Sequence, residues 1–473
     1  MDRLPWSRWH WLVVIALGIT WVLDGLEVTI VGAIGPVLGL NSTLSLDAGQ
    51  IGLVGTLYVA GNVVGAFVFG YLTDRLGRKR LFMVTLLVYL LATVATAFSW
   101  NAYSFYLFRF ITGMGIGGEY SAINSATEEL NPARVRGMVE LAINGSWWLG
   151  TAVGAFSTVF LLNPNLLPVD LGWRVAFGIG ATLGVAVVLI RRMLPESPRW
   201  LMTHGRADEA EEVVVNIEKQ VKGYTGQELE DPGDATIELR QRDHTPVREI
   251  LGTMFGEHKR RTILGVGLNI GQTFFYNAVF FTFALILTTF MKVQNQDVGW
   301  YILAFAVGNF LGPIILGRLF DTVGRRVMIS GTYLISGIGL TIAGYFFTTG
   351  SYSALSLTIV VSAIFFFASA GASGAYLTVS EAFPLEIRAN AIAFFYAIGS
   401  ALGGLIGPAL FGKLVETGDQ GNMFIGYAIG GALMIIGGLM EIFMGIDAEQ
   451  KSLEEVASPI SAESAQGDDR HGG

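Results

Sequence analysis

The chain contains no cysteine, which excludes disulfide bridges and thiolate metal sites. Its five histidines fall outside the long apolar runs or at their edges, and no HExxH helix, nucleophile elbow or Walker phosphate loop is present. No metal, no cofactor and no enzymatic activity are therefore expected. Charge is scarce as well: 14% of the 473 residues are Asp, Glu, Lys or Arg, too few for a soluble protein of this length. What the chain has instead is apolar residues, at 52% with a mean hydropathy of +0.54, and 61 glycines. Small residues let helix backbones approach closely in lipid, where hydrophobicity cannot drive helices together.

A helix that crosses a membrane needs about 20 predominantly apolar residues. Such runs fall at 11–38, 50–72, 81–99, 102–127, 138–162, 173–190, 262–290, 298–320, 328–348, 354–380, 390–412 and 422–444. The expected fold is all-α and integral to the membrane, with twelve transmembrane helices in two pseudo-symmetric six-helix bundles. The division is 1–193 for the first bundle, 194–260 for a cytoplasmic linker with short helices, 261–446 for the second bundle and 447–473 for a largely disordered cytoplasmic tail. Within the linker, Asp208 to Lys222 places acids early and lysines late around an apolar cluster, which suits a short helix. The first apolar run is long and lacks a small-residue cleavage site, so it reads as an anchor.

Arg75, Arg78, Arg136, Arg260, Arg261, Arg325, Arg326 and Arg388 fall in alternate connections, whereas the opposite ones hold little beyond Arg174, Lys292 and Lys413. By the positive-inside rule both termini are cytoplasmic, and the expected location is the plasma membrane. The net charge of -8 comes mostly from the linker and tail and points to no nucleic-acid partner. The expected partners are the lipid bilayer, protons and a small-molecule substrate, with the single chain as the working unit.

The two halves repeat each other. Gly70-Tyr-Leu-Thr-Asp74-Arg75-Leu-Gly77-Arg78-Lys79 corresponds to Gly317-Arg-Leu-Phe-Asp321-Thr-Val-Gly324-Arg325-Arg326, each between the second and third apolar runs of its half. Glu129-Leu-Asn-Pro132-Ala-Arg-Val-Arg136 and Glu381-Ala-Phe-Pro384-Leu-Glu-Ile-Arg388 follow the fourth runs in the same way. Parallel six-helix repeats place a solute site between the halves near the bilayer midplane. Asp74, Asp321, Arg75, Arg78, Arg325, Arg136 and Arg388 can meet helix ends or Glu129 and Glu381 across the seam, and such contacts would close the inner side.

This layout and the repeated Asp-x-x-Gly-Arg loop resemble the major facilitator superfamily over essentially the whole chain. Pro195-Glu196-Ser197-Pro198-Arg199-Trp200-Leu201 after the sixth run resembles the sugar porter signature, and Lys451-Ser452-Leu453-Glu454-Glu455-Val456 resembles that family's end without its usual Pro-Glu-Thr. The resemblance implies the major facilitator fold and alternating-access transport. Ionisable residues inside spans are costly and are functional candidates by default. Asp24 and Glu27 lie one turn apart on the first helix and Arg109 on the fourth. Proton-coupled sugar porters carry an Asp and an Arg at these places, so the resemblance implies a coupling pair of Asp24 and Arg109, with Glu27 as an alternative proton carrier. Gly117-Gly118-Glu119-Tyr120, together with Asp24-Gly25-Leu26-Glu27, resembles the metabolite and aromatic-acid proton symporters, which makes Glu119 a further proton candidate.

For the substrate, the resemblance implies Gln272, Asn277, Phe280 and Phe281 on the seventh helix, Asn309 on the eighth and Asn144 on the fifth, because amides offer hydroxyls both donors and acceptors. Trp147 and Trp148 follow Asn144 and could stack on a ring, and Tyr376 stands where sugar porters usually have Trp. The tenth and eleventh helices depart from the hexose pattern, reading Gly374-Ala375-Tyr376 and Phe394-Phe395-Tyr396-Ala397. The expected function is proton-coupled symport of a sugar, polyol or similar small polar metabolite; organic- or aromatic-acid symport and passive facilitation are the alternatives.

Overall fold

The structure is a computed structural model that describes residues 1–46, 48–163, 165–191, 194–229, 245–294 and 297–460. All its regular elements are helical. In order they are α1 Arg8–Leu38, α2 Ala48–Leu76, α3 Arg78–Ala97, α4 Ala102–Leu130, α5 Arg136–Leu161 and α6 Val169–Arg191. Three shorter helices follow, α7 Pro198–Thr203, α8 Ala207–Thr225 and α9 Val247–Gly252. The chain continues with α10 Lys259–Thr289, α11 Val298–Thr322, α12 Arg325–Thr348, α13 Ala354–Glu381, α14 Arg388–Gly399, α15 Leu405–Glu416, α16 Gln420–Met444 and the short α17 Leu453–Val456.

Among the described residues, ten helical segments are long and apolar enough to cross a membrane. Their outward faces carry unpartnered apolar side chains such as Leu91, Leu189, Ile315, Ile359 and Phe443, a surface suited to hydrocarbon and not to water. Two helices of comparable length, α4 and α5, fall short of that apolarity. The reason lies on their inner faces: Arg109, Glu119, Glu128, Glu129, Arg136, Glu140 and Asn144 are all buried against other helices. Their outer faces still present Leu107, Leu149, Val153 and Phe156.

Local signals explain where the helices begin. Asn101 caps α4 by accepting from the Ser104 amide, and Ser353 caps α13, its counterpart in the repeat, by accepting from the Ser356 amide. The repeated loop turns at Gly77 and Gly324, whose φ angles of 91° and 118° belong to the region that glycine alone enters without cost. After each glycine a distant carboxylate receives the next helix. Glu196 accepts from the Arg78 and Lys79 amides at 3.0 and 3.2 Å, and Glu449 accepts from the Arg325 amide at 3.4 Å. Each carboxylate lies just beyond the last long helix of its half.

In the connecting region, α8 has Asp208 and Glu209 in its first turn, Lys222 in its last and Gly226 in the left-handed conformation just beyond it, and buries Ala210, Ile217 and Val221. The tail packs back beneath the helices: Glu454 pairs with Arg199 at 2.6 Å. Burial would raise the Glu454 carboxyl, but the Arg199 guanidinium overrides it and holds the group at about 2. With the folded value below the free one, this contact contributes fully above about pH 4.5 and is lost only as pH falls from there toward 2.

Within the lipid-facing frame, glycines bring backbones together. A methyl on Gly117 of α4 would stand 2.0 Å from the Asn62 carbonyl of α2, and one on Gly65 would stand 2.0 Å from the Met114 carbonyl in return. Because the obstacle is backbone, relief requires the helices to separate, and overpacking of this kind costs about 1–3 kcal/mol or more. Gly117→Ala is therefore expected to lower the Tm of the detergent-purified protein by several degrees; an unchanged Tm would contradict this packing. The span expected at 390–412 is a continuous helical segment, Arg388–Glu416, with one irregularity. A π-helical turn at Ser400–Gly404 separates α14 from α15, where Gly399, Gly403 and Gly404 face α10.

Candidate functional site

A cavity of about 790 Å³ lies between α1, α2, α4, α5, α10, α13 and the α14–α15 break. Its lining runs from Asp24, in the middle of α1, to Leu38 at the end of that helix and Ile51 near the start of α2. Fourteen residues of helix span about 20 Å, so the cavity reaches from mid-depth to one end of the bundle.

Asp24 is buried in the wall and is held by three neutral donors from three helices. Tyr58 Oη donates to Oδ1 at 3.0 Å, and Tyr120 Oη and Trp147 Nε1 donate to Oδ2 at 3.1 and 2.8 Å. The expected pairing with Arg109 does not form. Arg109 pairs with Glu27 instead and donates to Thr112 Oγ1 at 2.9 Å, while Thr93 Oγ1 donates to the other Glu27 oxygen at 3.1 Å. The physical reason is helical geometry: three residues along α1 turn the side chain by about 60°, enough to point Glu27 at α3 and α4 while Asp24 faces the cavity. Arg109 reaches the cavity wall past Tyr58, and its Nε and Nη1 have no hydrogen-bond partner among the described residues. Glu119 is buried on α4 and does not line the cavity. The useful residue of that motif is its neighbour Tyr120.

Of the substrate candidates, Gln272, Asn277, Phe280, Asn144, Trp147, Trp148 and Tyr376 line the cavity. Gln272 Nε2 donates to Tyr376 Oη at 3.4 Å, Asn277 Nδ2 to the Thr273 carbonyl at 2.8 Å and Asn144 Nδ2 to Glu140 Oε1 at 3.0 Å. Each amide is thereby oriented and retains its carbonyl oxygen. Asn309 is not brought to the cavity. It is fully buried between Tyr276 Oη, which donates to it at 2.9 Å, and the Phe305 carbonyl, and so sets the position of Tyr276 in the wall. The Phe281 side chain lies outside the described residues.

Sequence reasoning did not single out Tyr58, Asn62, Tyr276 or Tyr396 as site residues, yet all line the cavity. Tyr120 and Tyr396 stack at 3.9 Å between ring centres, closing the space between α4 and α14, and Asn62 Nδ2 donates to Tyr396 Oη at 3.3 Å. Tyr396 sits in the stretch read as a departure from the hexose pattern; that departure was the available signal.

Beyond this aromatic floor lies a buried polar cluster. Asp321 accepts from the Gly137 and Met138 amides at 2.9 and 2.7 Å, at the start of α5. Arg325 joins Asp321 at 2.7 Å to Glu381 at 3.0 Å. Arg136 contacts Glu128 at 3.3 Å and Glu381 at 3.6 Å. Glu129 receives Arg78 at 2.9 Å and Arg388 at 3.8 Å. These contacts tie α4 and α5 to α11, α13 and α14. Arg75 stays out of the cluster, exposed over the Tyr71 ring at 4.5 Å, and the Asp74 side chain lies outside the described residues.

A niacin transporter, NiaP, of Acinetobacter baylyi is 28% identical over 96% of this chain and 98% of its own length. A 4-hydroxybenzoate transporter, PcaK, of the same organism is 27% identical over 87% of each chain. Among solved structures, the proton:xylose symporter XylE bound to 6-bromo-6-deoxy-D-glucose shares the fold with a TM-score of 0.77, covering 94% of this chain and 98% of that one at 18% identity. The family described as sugar (and other) transporter matches residues 30–458. The chain shares the fold of that symporter structure, and it is a multi-pass membrane transporter that belongs to the sugar (and other) transporter family.

Proposed function

We propose that this protein is a proton-coupled symporter for a small ring-shaped polar metabolite, working by alternating access. The observation that carries the reading is Asp24: a carboxylate buried at mid-depth, facing the cavity, held by three neutral donors and paired with no cation among the described residues. A charge so placed is costly, and taking up a proton removes it. Substrate filling the cavity displaces the water that would otherwise solvate the carboxylate, which ties the proton to the cargo. With proton and substrate both bound, the wall carries no isolated charge and the helices can rearrange.

Counting α4 and α5 as spans gives twelve, six on either side of the 194–260 connection. The repeated arginine-rich loops then face the cytoplasm with both termini, in the plasma membrane. On this reading the buried polar cluster is a shut cytoplasmic latch, the cavity opens outward, and one chain suffices for transport.

A sugar or polyol is the first substrate class, supported by the oriented amides Gln272, Asn277 and Asn144 beside Trp147, Trp148 and Phe280, and by the likeness to a xylose symporter. An aromatic or heteroaromatic carboxylate is the second. It is favoured by Arg109, whose Nε and Nη1 are buried behind the cavity wall without a hydrogen-bond partner among the described residues, by the ring-rich lining, and by the likeness to niacin and 4-hydroxybenzoate transporters. Substrate-induced alkalinisation around proteoliposomes, with pentoses, hexoses, polyols and aromatic carboxylates, separates them. A signal with a neutral polyhydroxy ring establishes the first, one restricted to acids establishes the second, and exchange without proton movement refutes symport.

Gln272→Ala and Asn277→Ala are each expected to weaken binding about tenfold, the loss of one hydrogen bond of about 1–1.5 kcal/mol. Calorimetric titration of the identified substrate checks this. Unaltered Kd in both variants would remove α10 from the pocket.

A further inference from the structure

The buried cluster holds one carboxylate more than it can neutralise. Glu128, Glu129, Asp321 and Glu381 are matched by Arg78, Arg136, Arg325 and Arg388, all of them buried. Glu140 is the fifth acid. It is fully buried on α5, and no arginine or lysine among the described residues pairs with it. Its Oε1 accepts from Asn144 Nδ2 at 3.0 Å; Thr127 lies beside it but donates its hydroxyl proton to the Ile123 carbonyl, and Oε2 has no donor among the described residues.

Among the described residues, the surroundings of Glu140 offer no free cation. From α4 it faces Glu128 and Thr127, and from α13 it faces Glu381, both acids being like charges. On α5 itself Arg136 is engaged by Glu128 and Glu381, and on α14 Arg388 is directed at Glu129. From α11, Asp321 is bound to the α5 amides and Arg325 to Asp321 and Glu381. Along the α1 face, the titratable groups below Asp24 are Arg8, exposed, and His10, whose ring bonds Ser7. A carboxylate fully removed from water, without a cation and beside two other carboxylates, persists only by binding a proton. The unpartnered Oε2 is the atom that takes it.

We propose that Glu140 is a proton-binding site of the shut cytoplasmic latch, protonated while the latch is closed and releasing its proton to the cytosol as the latch opens. The inference rests on reading the cluster as that latch. Opening admits water, Glu140 ionises, and its repulsion of Glu128 and Glu381 then opposes closure until a proton returns. Through Asn144, whose Oδ1 is also unpartnered, the same carboxyl touches the substrate cavity, so cargo and latch share one side-chain link.

Spin labels test this directly. The chain has no cysteine, so Arg80→Cys and Thr322→Cys, exposed at the cytoplasmic ends of α3 and α11, accept labels at those two sites alone. The measurements are made in an Asp24→Asn background to remove the cavity carboxylate. The parent is expected to shift toward long label separations as the buffer is made alkaline. Glu140→Gln, which keeps the neutral form at every pH, is expected to lose that shift and hold the short separation. Glu381→Gln, which removes a true latch anion, is expected to lengthen the separation at every pH. If Glu140→Gln opens the latch as Glu381→Gln does, Glu140 is an ionised partner and the proposal is overturned. A pH shift identical to the parent's overturns it too. If Glu381→Gln leaves the separation unchanged, the latch reading itself fails. Because a neutral group replacing a neutral group must be tolerated, failure of both Glu140→Gln and Glu140→Met to fold also overturns the proposal.

Discussion

Replacing Asp24 by Asn should abolish accumulation of substrate against its gradient while leaving exchange intact. With one proton carried per substrate, a pH difference of one unit is worth about 1.4 kcal/mol and sustains about tenfold accumulation. In the variant that ratio should fall to one. The asparagine amide preserves the volume and accepts the Tyr58, Tyr120 or Trp147 hydrogen bonds through its carbonyl, so the aromatic wall remains and counterflow continues. Uptake into proteoliposomes under an imposed pH gradient, compared with counterflow in the same preparation, measures both. Accumulation at the unmodified level would transfer the coupling role to Glu27 or Glu119. Glu27 is a poor carrier in this geometry, because giving it a proton leaves Arg109 buried without its anion.

The second large effect is expected at Arg325. Its guanidinium is the common partner of Asp321 and Glu381, and Asp321 in turn grips the first amides of α5. Arg325→Met fills the space but leaves the buried Asp321 without a cation and Glu381 with only the longer contact to Arg136. Breaking a buried pair by removing one partner costs about 3–5 kcal/mol, which the chain escapes by opening the latch to water. The equilibrium between shut and open cytoplasmic faces should move by about two to three orders of magnitude toward the open one, since each 1.4 kcal/mol is tenfold. The measurable consequence is a loss of substrate binding from the outer side of right-side-out vesicles, with faster modification of a cysteine placed at the cytoplasmic mouth. Binding from outside at the parental level would show that the cluster does not decide which face is open.

The fold was legible in the sequence because apolar runs and glycine-rich loops are local features. α4 and α5 were legible as the apolar runs at 102–127 and 138–162, although buried Arg, Glu and Asn side chains dilute their apolarity. The turn at Ser400–Gly404 was not legible: Gly399, Gly403 and Gly404 are compatible with an unbroken helix in lipid, and what widens the turn is contact with α10. At the site, Asp24, Glu27 and Arg109 stood out as charges inside spans, but their pairing depends on helix rotation. No spacing rule distinguishes a Glu facing Thr93 and Arg109 from an Asp facing Tyr58 and Trp147. Tyr58 and Tyr396 were invisible as site residues because an aromatic in a span reads first as packing. Glu128 and Glu140 escaped notice for the opposite reason. They stand at the ends of their helices beside Glu129 and Arg136, where sequence does not separate a solvated charge from a buried one, and the tertiary arrangement buries them.

The glycine contacts between α2 and α4 carry a consequence for how such a protein diversifies. Where Gly117 meets the Asn62 carbonyl and Gly65 meets that of Met114, a single added carbon is obstructed by backbone, so the frame accepts almost no variation. The cavity is built the other way, from side chains such as Gln272, Asn277, Tyr376 and Phe280 that line open space. Exchanging them alters what fits without loosening the helices that move. A lineage can therefore change its cargo in small steps while inheriting its moving parts unaltered, and differences among its members should concentrate around the cavity and thin out along the glycine seams.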